Sequence, residues 1–200
     1  FAANQIAGGC SEFMIAAGVE SISAGTRQTP GKSDIHPTIR EKAPDIFMAM
    51  GNTAEVVARR YSVSREYQDE FALESQKRTA AAQQAGLFDD EIVPMNVKWQ
   101  KVINKETKET EIVDGVCVGD ECNRPETTLE GLAKLPPAFE EDGTVTAGNA
   151  SQLSDGASMT LVMSAERAAH LGLEPMAYFR GWTVAGCEPD EMGIGPVFAV

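Results

Sequence analysis

Thr144-Val145-Thr146-Ala147-Gly148-Asn149-Ala150-Ser151-Gln152-Leu153-Ser154-Asp155-Gly156-Ala157 is the stretch on which the reading of this chain turns. Its residues are small, or short and polar. Small side chains let a ligand approach the backbone closely. Asn149, Ser151 and Asp155 carry groups that bond a polar ligand or orient a loop. The same composition also suits a helix start held by local Asx and Ser turns, and residue physics leaves both readings open. An apolar run over 159–163 follows and reads as a strand. Ser164 then caps a helix over 165–171, which Gly172 closes.

Working outward, helix and strand signals alternate near both ends. Residues 1–9 read as a helix stopped by Gly8-Gly9, and 12–17 as a short buried strand that turns at Gly18-Val19-Glu20-Ser21. Residues 24–45, with Gly25, Pro30, Gly31, Pro37 and Pro44, read as loop. Thr53 is the expected N-cap of a helix over 54–61, with Glu55 in its first turn. Ser64 caps a longer helix over 65–85, closed by Gly86. The spacing puts Tyr67, Phe71 and Ser75 on one face of it, and Glu70, Glu74 and Arg78 on a solvent-exposed one. The run Ala80–Ala82 predicts close packing against a neighbour. Ile92-Val93-Pro94-Met95-Asn96-Val97 reads as an edge strand. Residues 100–116 alternate charged and β-branched residues around Asn104-Lys105 and Asp114-Gly115, and read as an exposed β-ribbon. A short helix spans 128–135, and 178–184 reads as a last strand. The irregular middle suggests a core interrupted by an insertion.

Composition narrows the function classes. With 17 Lys and Arg against 30 Asp and Glu, the formal charge is −13. That balance argues against nucleic acid or an anionic membrane as the main partner, because both need a cationic surface. No apolar stretch approaches the roughly 20 residues of a membrane span. Phe1 in place of Met, and the apolar run that ends at Val200, read as cuts inside a longer chain. The four cysteines, Cys10, Cys117, Cys122 and Cys187, form no CxxC and read as reduced thiols. For Cys10 a small buried hydrophobe is the better reading than a nucleophile. Cys117 and Cys122 read as structural thiols about a turn. His170 reads as a cation at a helix C-terminus. Glu140-Glu141-Asp142 reads as solvated surface.

Seven separated motifs, taken in order, resemble the thiolase family of acetyl-CoA acyltransferases. They are Ala17-Gly18-Val19-Glu20-Ser21; Met50-Gly51-Asn52-Thr53-Ala54-Glu55; Ser64-Arg65-Glu66 with Gln68-Asp69; Phe88-Asp89-Asp90-Glu91-Ile92-Val93-Pro94; Arg124-Pro125 with Thr128-Leu129-Glu130; the 144–151 stretch with Asp155-Gly156-Ala157; and Met192-Gly193 with Gly195-Pro196. The resemblance implies a layered α/β fold with an inserted loop domain. On it, 1–24 and 154–172 belong to the N-terminal half, 25–153 to the CoA-covering loop domain, and 173–200 to the start of the C-terminal half.

The implied chemistry is thiolysis of a 3-ketoacyl-CoA, or the reverse Claisen condensation, through a cysteine thioester. The resemblance puts the nucleophilic cysteine, the histidine and the acid/base cysteine outside these 200 residues. Cys10 and Cys187 match neither catalytic position. It places Arg124, Phe139, Ala147 and Ser151 along coenzyme A, and Met50 and Met192 in the acyl pocket. Ala49 and Gly131 stand where many members carry histidine and serine, which tilts the reading towards a degradative or broad-chain enzyme. Coenzyme A enters as substrate, with no cofactor and no metal. Acyl-CoA and CoA are the expected partners, within a homodimer or homotetramer in the cytoplasm. The alternatives are a non-catalytic acyl-CoA-binding protein and a structural fragment of a larger assembly.

Overall fold

The computed structural model describes residues 1–22, 36–104 and 106–200. It is mixed α/β and divides into two compact units. One comprises Phe1–Ser62 and Ser151–Val200, the other Val63–Ala150.

In the first unit, helix α1 (Ala2–Ala7) ends at Gly8 and Gly9, whose φ of +72° is left-handed. Strand β1 (Phe13–Glu20) pairs antiparallel with β4 (Gly156–Met163), from Phe13 opposite Met163 to Glu20 opposite Gly156. Both strands run longer than their sequence signals. The expected turn at Gly18-Val19-Glu20 is strand instead, because Gly156-Ala157-Ser158 lie opposite and complete the ladder. The expected burial also fails: Phe13 and Ile15 are 54% and 62% exposed. Apolar runs of this kind suit strands covered on both faces, whereas α1 is the only helix of the unit that packs on both strands of the ribbon among the described residues.

Part of the loop expected over 24–45 is helical. Helix α2 (Pro37–Lys42) is capped by His36, whose Nδ1 accepts from the Thr38 amide at 3.3 Å, and a 3-10 turn (Pro44–Phe47) follows. Each proline sits in the first helical turn, where its missing N–H costs nothing. Gly25, Pro30 and Gly31 lie outside the described residues.

Helix α3 (Met50–Arg60) starts before the expected cap. Thr53 is inside it, buried, and its hydroxyl donates to the Met50 carbonyl at 2.8 Å. A threonine hydroxyl bonded one turn back is compatible with helix interior and does not mark the start. Past α4 (Arg65–Gln84) and α5 (Leu129–Ala133) of the second unit, helix α6 (Ala165–Leu171) has the caps read from sequence: Ser164 accepts from the Arg167 amide, and Gly172 is left-handed at φ +67°. The strand expected over 178–184 does not form. Among the described residues no strand runs beside it, and a strand without a ladder leaves its backbone groups unpaired. A 3-10 segment (Pro189–Ile194) and helix α7 (Gly195–Ala199) end the chain.

The second unit is built on helix α4 (Arg65–Gln84), capped by Ser64 and closed before Gly86 at φ +68°. The face it turns inward is neither of those expected. Tyr67 and Phe71 are 64% and 73% exposed, and the Glu74–Arg78 pair at 2.7 Å is also exposed. Asp69 and Ala80 are the buried residues of α4.

Strands β2 (Met95–Asn104) and β3 (Glu109–Cys117) form an antiparallel hairpin. Pairing starts after Pro94, which has no N–H to offer. The Asn104 side chain accepts from the Glu106 and Thr107 amides and shapes the turn. Asp114-Gly115 lie within β3. A Cβ on Gly115 would lie 2.3 Å from the Trp99 ring, so the glycine makes room for the indole. Helix α5 (Leu129–Ala133) is capped by Thr128, and an isolated antiparallel bridge joins Pro137 to Thr146. Leu132, Val145, Thr146, Asp69 and Ala80 are the buried residues of this unit.

Candidate functional site

The 144–150 stretch is held from beneath by polar groups of α4. The Arg65 Nε donates to Asp69 Oδ2 at 2.8 Å, and its Nη2 to the Leu132 and Leu135 carbonyls at 2.6 and 3.2 Å. Those two carbonyls belong to the last turn of α5 and the residues after it, where no amide four residues on completes the ladder; the Leu132 carbonyl also accepts from the Leu135 amide at 3.0 Å. One guanidinium therefore ties two helices together.

Asp69 uses its second oxygen to accept from Asn149 Nδ2 at 3.0 Å. Asn149 Nδ2 also donates to the Thr144 carbonyl at 3.0 Å, and its Oδ1 accepts from the Thr146 amide at 2.8 Å. Gln68 Nε2 donates to Thr144 Oγ1 at 2.9 Å. Asp69 is 4% exposed and Thr146 fully buried. A buried carboxylate is tolerable only when paired and hydrogen-bonded, and here it is both.

The product is a tight turn. The Thr146 hydroxyl accepts from the Gly148 amide at 3.1 Å, and the Ala150 amide donates to the Thr146 carbonyl at 3.1 Å. Of the two readings left open by composition, the local turns are present, and they form a loop rather than a helix start. Gly148 is required by space. A Cβ there would lie 2.5 Å from both Leu132 Cδ2 and Leu135 Cδ1. Ala147 lies on the outer side of the turn and is exposed.

Arg124 is set by a second contact with α4. Its amide donates to Gln76 Oε1 at 2.8 Å, and Asn123 Nδ2 donates to the same oxygen at 2.8 Å and to the Gln76 carbonyl at 3.0 Å. The Arg124 carbonyl accepts from the Thr127 amide and hydroxyl. The backbone is thus pinned on both sides while the guanidinium is exposed. Among the described residues that guanidinium takes no hydrogen bond or ion pair of its own, which leaves a cation available for a phosphate or an aromatic face.

Phe139 is 43% exposed and follows the Pro137–Thr146 bridge, where the Ala138 amide donates to the Val145 carbonyl at 2.9 Å. Phe139, Ala147 and Arg124 therefore all belong to the second unit, on segments tied to α4 or to each other. Ser151 is exposed and is the first residue of the other unit's second segment; its hydroxyl makes a local bond to the Gln152 carbonyl.

In the first unit, Met50 opens α3 and is 71% exposed; Met192 lies on the 3-10 segment and is 46% exposed. The two elements pack on each other.

The sequence reading missed Arg65, Asp69 and Gln76 as supports of this region. A signal was present: Arg65, Gln68-Asp69 and Gln76 recur at helical spacing, which makes one stripe of α4 polar on the side away from Phe71. Cys10, Cys117 and Cys122 are exposed, so the buried-hydrophobe reading of Cys10 is not met. Among the described residues no group of three His, Cys, Asp or Glu side chains is placed to hold a metal, and no helix is long and apolar enough to cross a membrane.

The comparisons with known proteins agree with this architecture. Residues 1–166 match the model of the thiolase N-terminal domain. The chain is 44% identical to an acetyl-CoA acetyltransferase of Chromobacterium violaceum, over 99% of this chain and 51% of that protein. It is 45% identical to the human peroxisomal 3-ketoacyl-CoA thiolase, over 99% of this chain and 45% of that one. The dimeric peroxisomal thiolase of Saccharomyces cerevisiae superposes with a TM-score of 0.83 at 32% identity, covering 98% of this chain and 47% of the yeast chain. Human mitochondrial 3-ketoacyl-CoA thiolase in complex with CoA superposes with a TM-score of 0.75 at 35% identity, covering 98% and 49%. The chain spans about half the length of the relatives it matches. A match of this extent to the N-terminal domain model, on an α/β frame that superposes on solved thiolases, shows that the chain belongs to the thiolase family.

Proposed function

We propose that the protein carrying this sequence is an acyltransferase of the thiolase type, cleaving a 3-ketoacyl-CoA with free CoA or running the reverse condensation. The observation that carries the reading is the likeness, along 99% of this chain, to an acetyl-CoA acetyltransferase and a 3-ketoacyl-CoA thiolase. In this reading the present residues serve recognition. Arg124 meets the phosphate or adenine end of CoA, Phe139 packs on it, and Ala147 and Ser151 follow the pantetheine arm. Met50 and Met192 line the acyl pocket. None of Cys10, Cys117, Cys122 and Cys187 is assigned the nucleophile's part.

The geometry suits that division of labour. An exposed cation on a pinned backbone meets an anion at the cost of ordering its own side chain and not the loop that carries it. A small residue such as Ala147 on a rigid turn lets a thin polar chain lie along the backbone. Ala49, the N-cap of α3, and Gly131, inside α5, add no polar side chain, which fits a broad acyl range. The loop-domain assignment of 25–153, a homodimer or homotetramer, and a cytoplasmic location belong to the same proposal.

Mixing the protein with a short 3-ketoacyl-CoA and CoA tests it. Loss of the 3-keto thioester, with two acyl-CoA products formed in equal amounts, is the expected result. CoA binding without any turnover would overturn the proposed activity and favour a non-catalytic acyl-CoA-binding protein.

A further inference from the structure

The C-terminal end of α3 holds the Met192 segment through a charged fork. Arg60 Nη2 lies 2.8 Å from Asp190 Oδ2, and Arg60 Nη1 lies 2.5 Å from Glu191 Oε2 and 3.4 Å from Asp190 Oδ1. The Tyr61 hydroxyl donates to the same Glu191 oxygen at 3.0 Å. The carboxylate side chains are more covered than the arginine, at 24% and 13% exposure against 44%. Hydrogen bonds to Asp190 and then Glu191 raise the Arg60 pKa further above its usual range, so the fork stays charged.

Glu191 is also where the 3-10 segment breaks. Its φ of −125° and ψ of 31° are non-helical, and the segment kinks there. The next residue is Met192. Its carbonyl accepts a long contact from Cys187 Sγ at 3.9 Å, which closes the loop behind it. A partly exposed ion pair adds little to stability, but an arginine forked onto two carboxylates fixes direction as well as distance. The fork holds the side chain of the kinked residue, Glu191, and that of Asp190 before it, directly ahead of Met192.

We propose that Arg60, assisted by Tyr61, is a positioning residue for acyl-chain selection: by holding Asp190 and Glu191 it sets the kink from which Met192 is presented. The proposal rests on the reading of Met192 as an acyl-pocket residue. Arg60 itself touches neither substrate nor CoA. Its loss changes the fit of the acyl chain and leaves the CoA moiety's contacts alone.

The test measures Kd for acetyl-CoA, decanoyl-CoA and free CoA by titration calorimetry, so it does not depend on turnover. Arg60→Met, the near-isosteric Glu191→Gln and Met192→Ala are compared with the unsubstituted protein. For Arg60→Met and Glu191→Gln the decanoyl-to-acetyl ratio of affinities moves by about tenfold or more, within the range a pocket change of methylene size produces. The affinity for free CoA stays constant. Arg60→Lys, which keeps the charge but not the fork, recovers part of the ratio. If Met192→Ala shifts the ratio and neither fork variant does, the positioning role is overturned and the pocket reading stands. If Met192→Ala leaves the ratio unchanged, the pocket reading falls and this proposal falls with it. Should Arg60→Met not fold, Glu191→Gln decides the matter by the same criterion.

Discussion

Replacing Asn149 by alanine removes its bond to Asp69, one of the two links between α4 and the 144–150 turn, and leaves Gln68 to Thr144 as the other; its cost is worked from three bonds. The Thr146 amide loses its acceptor at 2.8 Å, the Thr144 carbonyl loses a donor at 3.0 Å, and Asp69 loses a donor at 3.0 Å. Each neutral bond is worth about 1 kcal/mol net, and the bond to the carboxylate about 1.5–3 kcal/mol. Thr146 is fully buried, so water does not replace the lost acceptor. The sum is about 3–5 kcal/mol, a large part of the roughly 5–15 kcal/mol that holds a typical domain together. In urea, with a slope of about 2 kcal/mol per molar, the midpoint of the transition that melts this unit falls by about 2 M at unchanged slope. Hydrogen exchange adds a local reading, since the Thr146 amide becomes one of the first buried amides to exchange. Asn149→Asp separates the parts. It keeps an acceptor for the Thr146 amide but sets a second carboxylate beside Asp69. The two like charges repel, so this variant is also less stable than the unsubstituted protein. A loss below about 1 kcal/mol in Asn149→Ala would refute the claim that this network holds the turn.

Two further outcomes follow from single contacts. Tyr61 has its pKa raised, first by its hydrogen bond to Glu191 and then by burial and the Glu191 charge. A raised folded value means its contribution is fully present below the ordinary tyrosine pKa and is lost as pH rises through the folded one; ultraviolet titration should show one tyrosine ionising late, and Glu191→Gln should return it to the ordinary range. Gly148→Ala drives a methyl into Leu132 and Leu135, for a loss of about 1–3 kcal/mol typical of overpacking, and adding Leu132→Ala should give less than the sum of the two single losses in denaturant unfolding.

What could be read from sequence was local. Ser64 and Ser164 as caps, Gly86 and Gly172 as left-handed stops, and the Asn104 turn are each decided by groups within a few residues of one another. Thr53 shows the limit: the same hydroxyl that caps a helix also bonds back inside one, and only the real start at Met50 tells them apart. Strand ends were misjudged because the partner, not the strand's own residues, decides where a ladder stops; β1 runs on to Glu20 because Gly156 lies opposite.

The site was legible only in part, for the same reason. Asn149 reaches Asp69 across 80 positions and Arg124 reaches Gln76 across 48, so no window on the sequence contains both partners. Residue physics left the 144–157 stretch with two meanings. The family likeness supplied Arg124 and Ala147, and the hydrogen bonds of α4 explain what keeps them in place. The inward face of α4 was missed because its partners are polar, whereas the search for a core follows apolar residues.

Titration of CoA into the protein and into its Arg124→Ala variant tests the central claim most directly. With the backbone pinned by Gln76 and the guanidinium free to meet an anion, loss of one charge-assisted bond of about 1.5–3 kcal/mol predicts CoA binding weakened by about 10- to 100-fold, with acyl transfer at saturating CoA much less affected. Equal CoA affinity in the two proteins would remove Arg124 from the site and contradict the account.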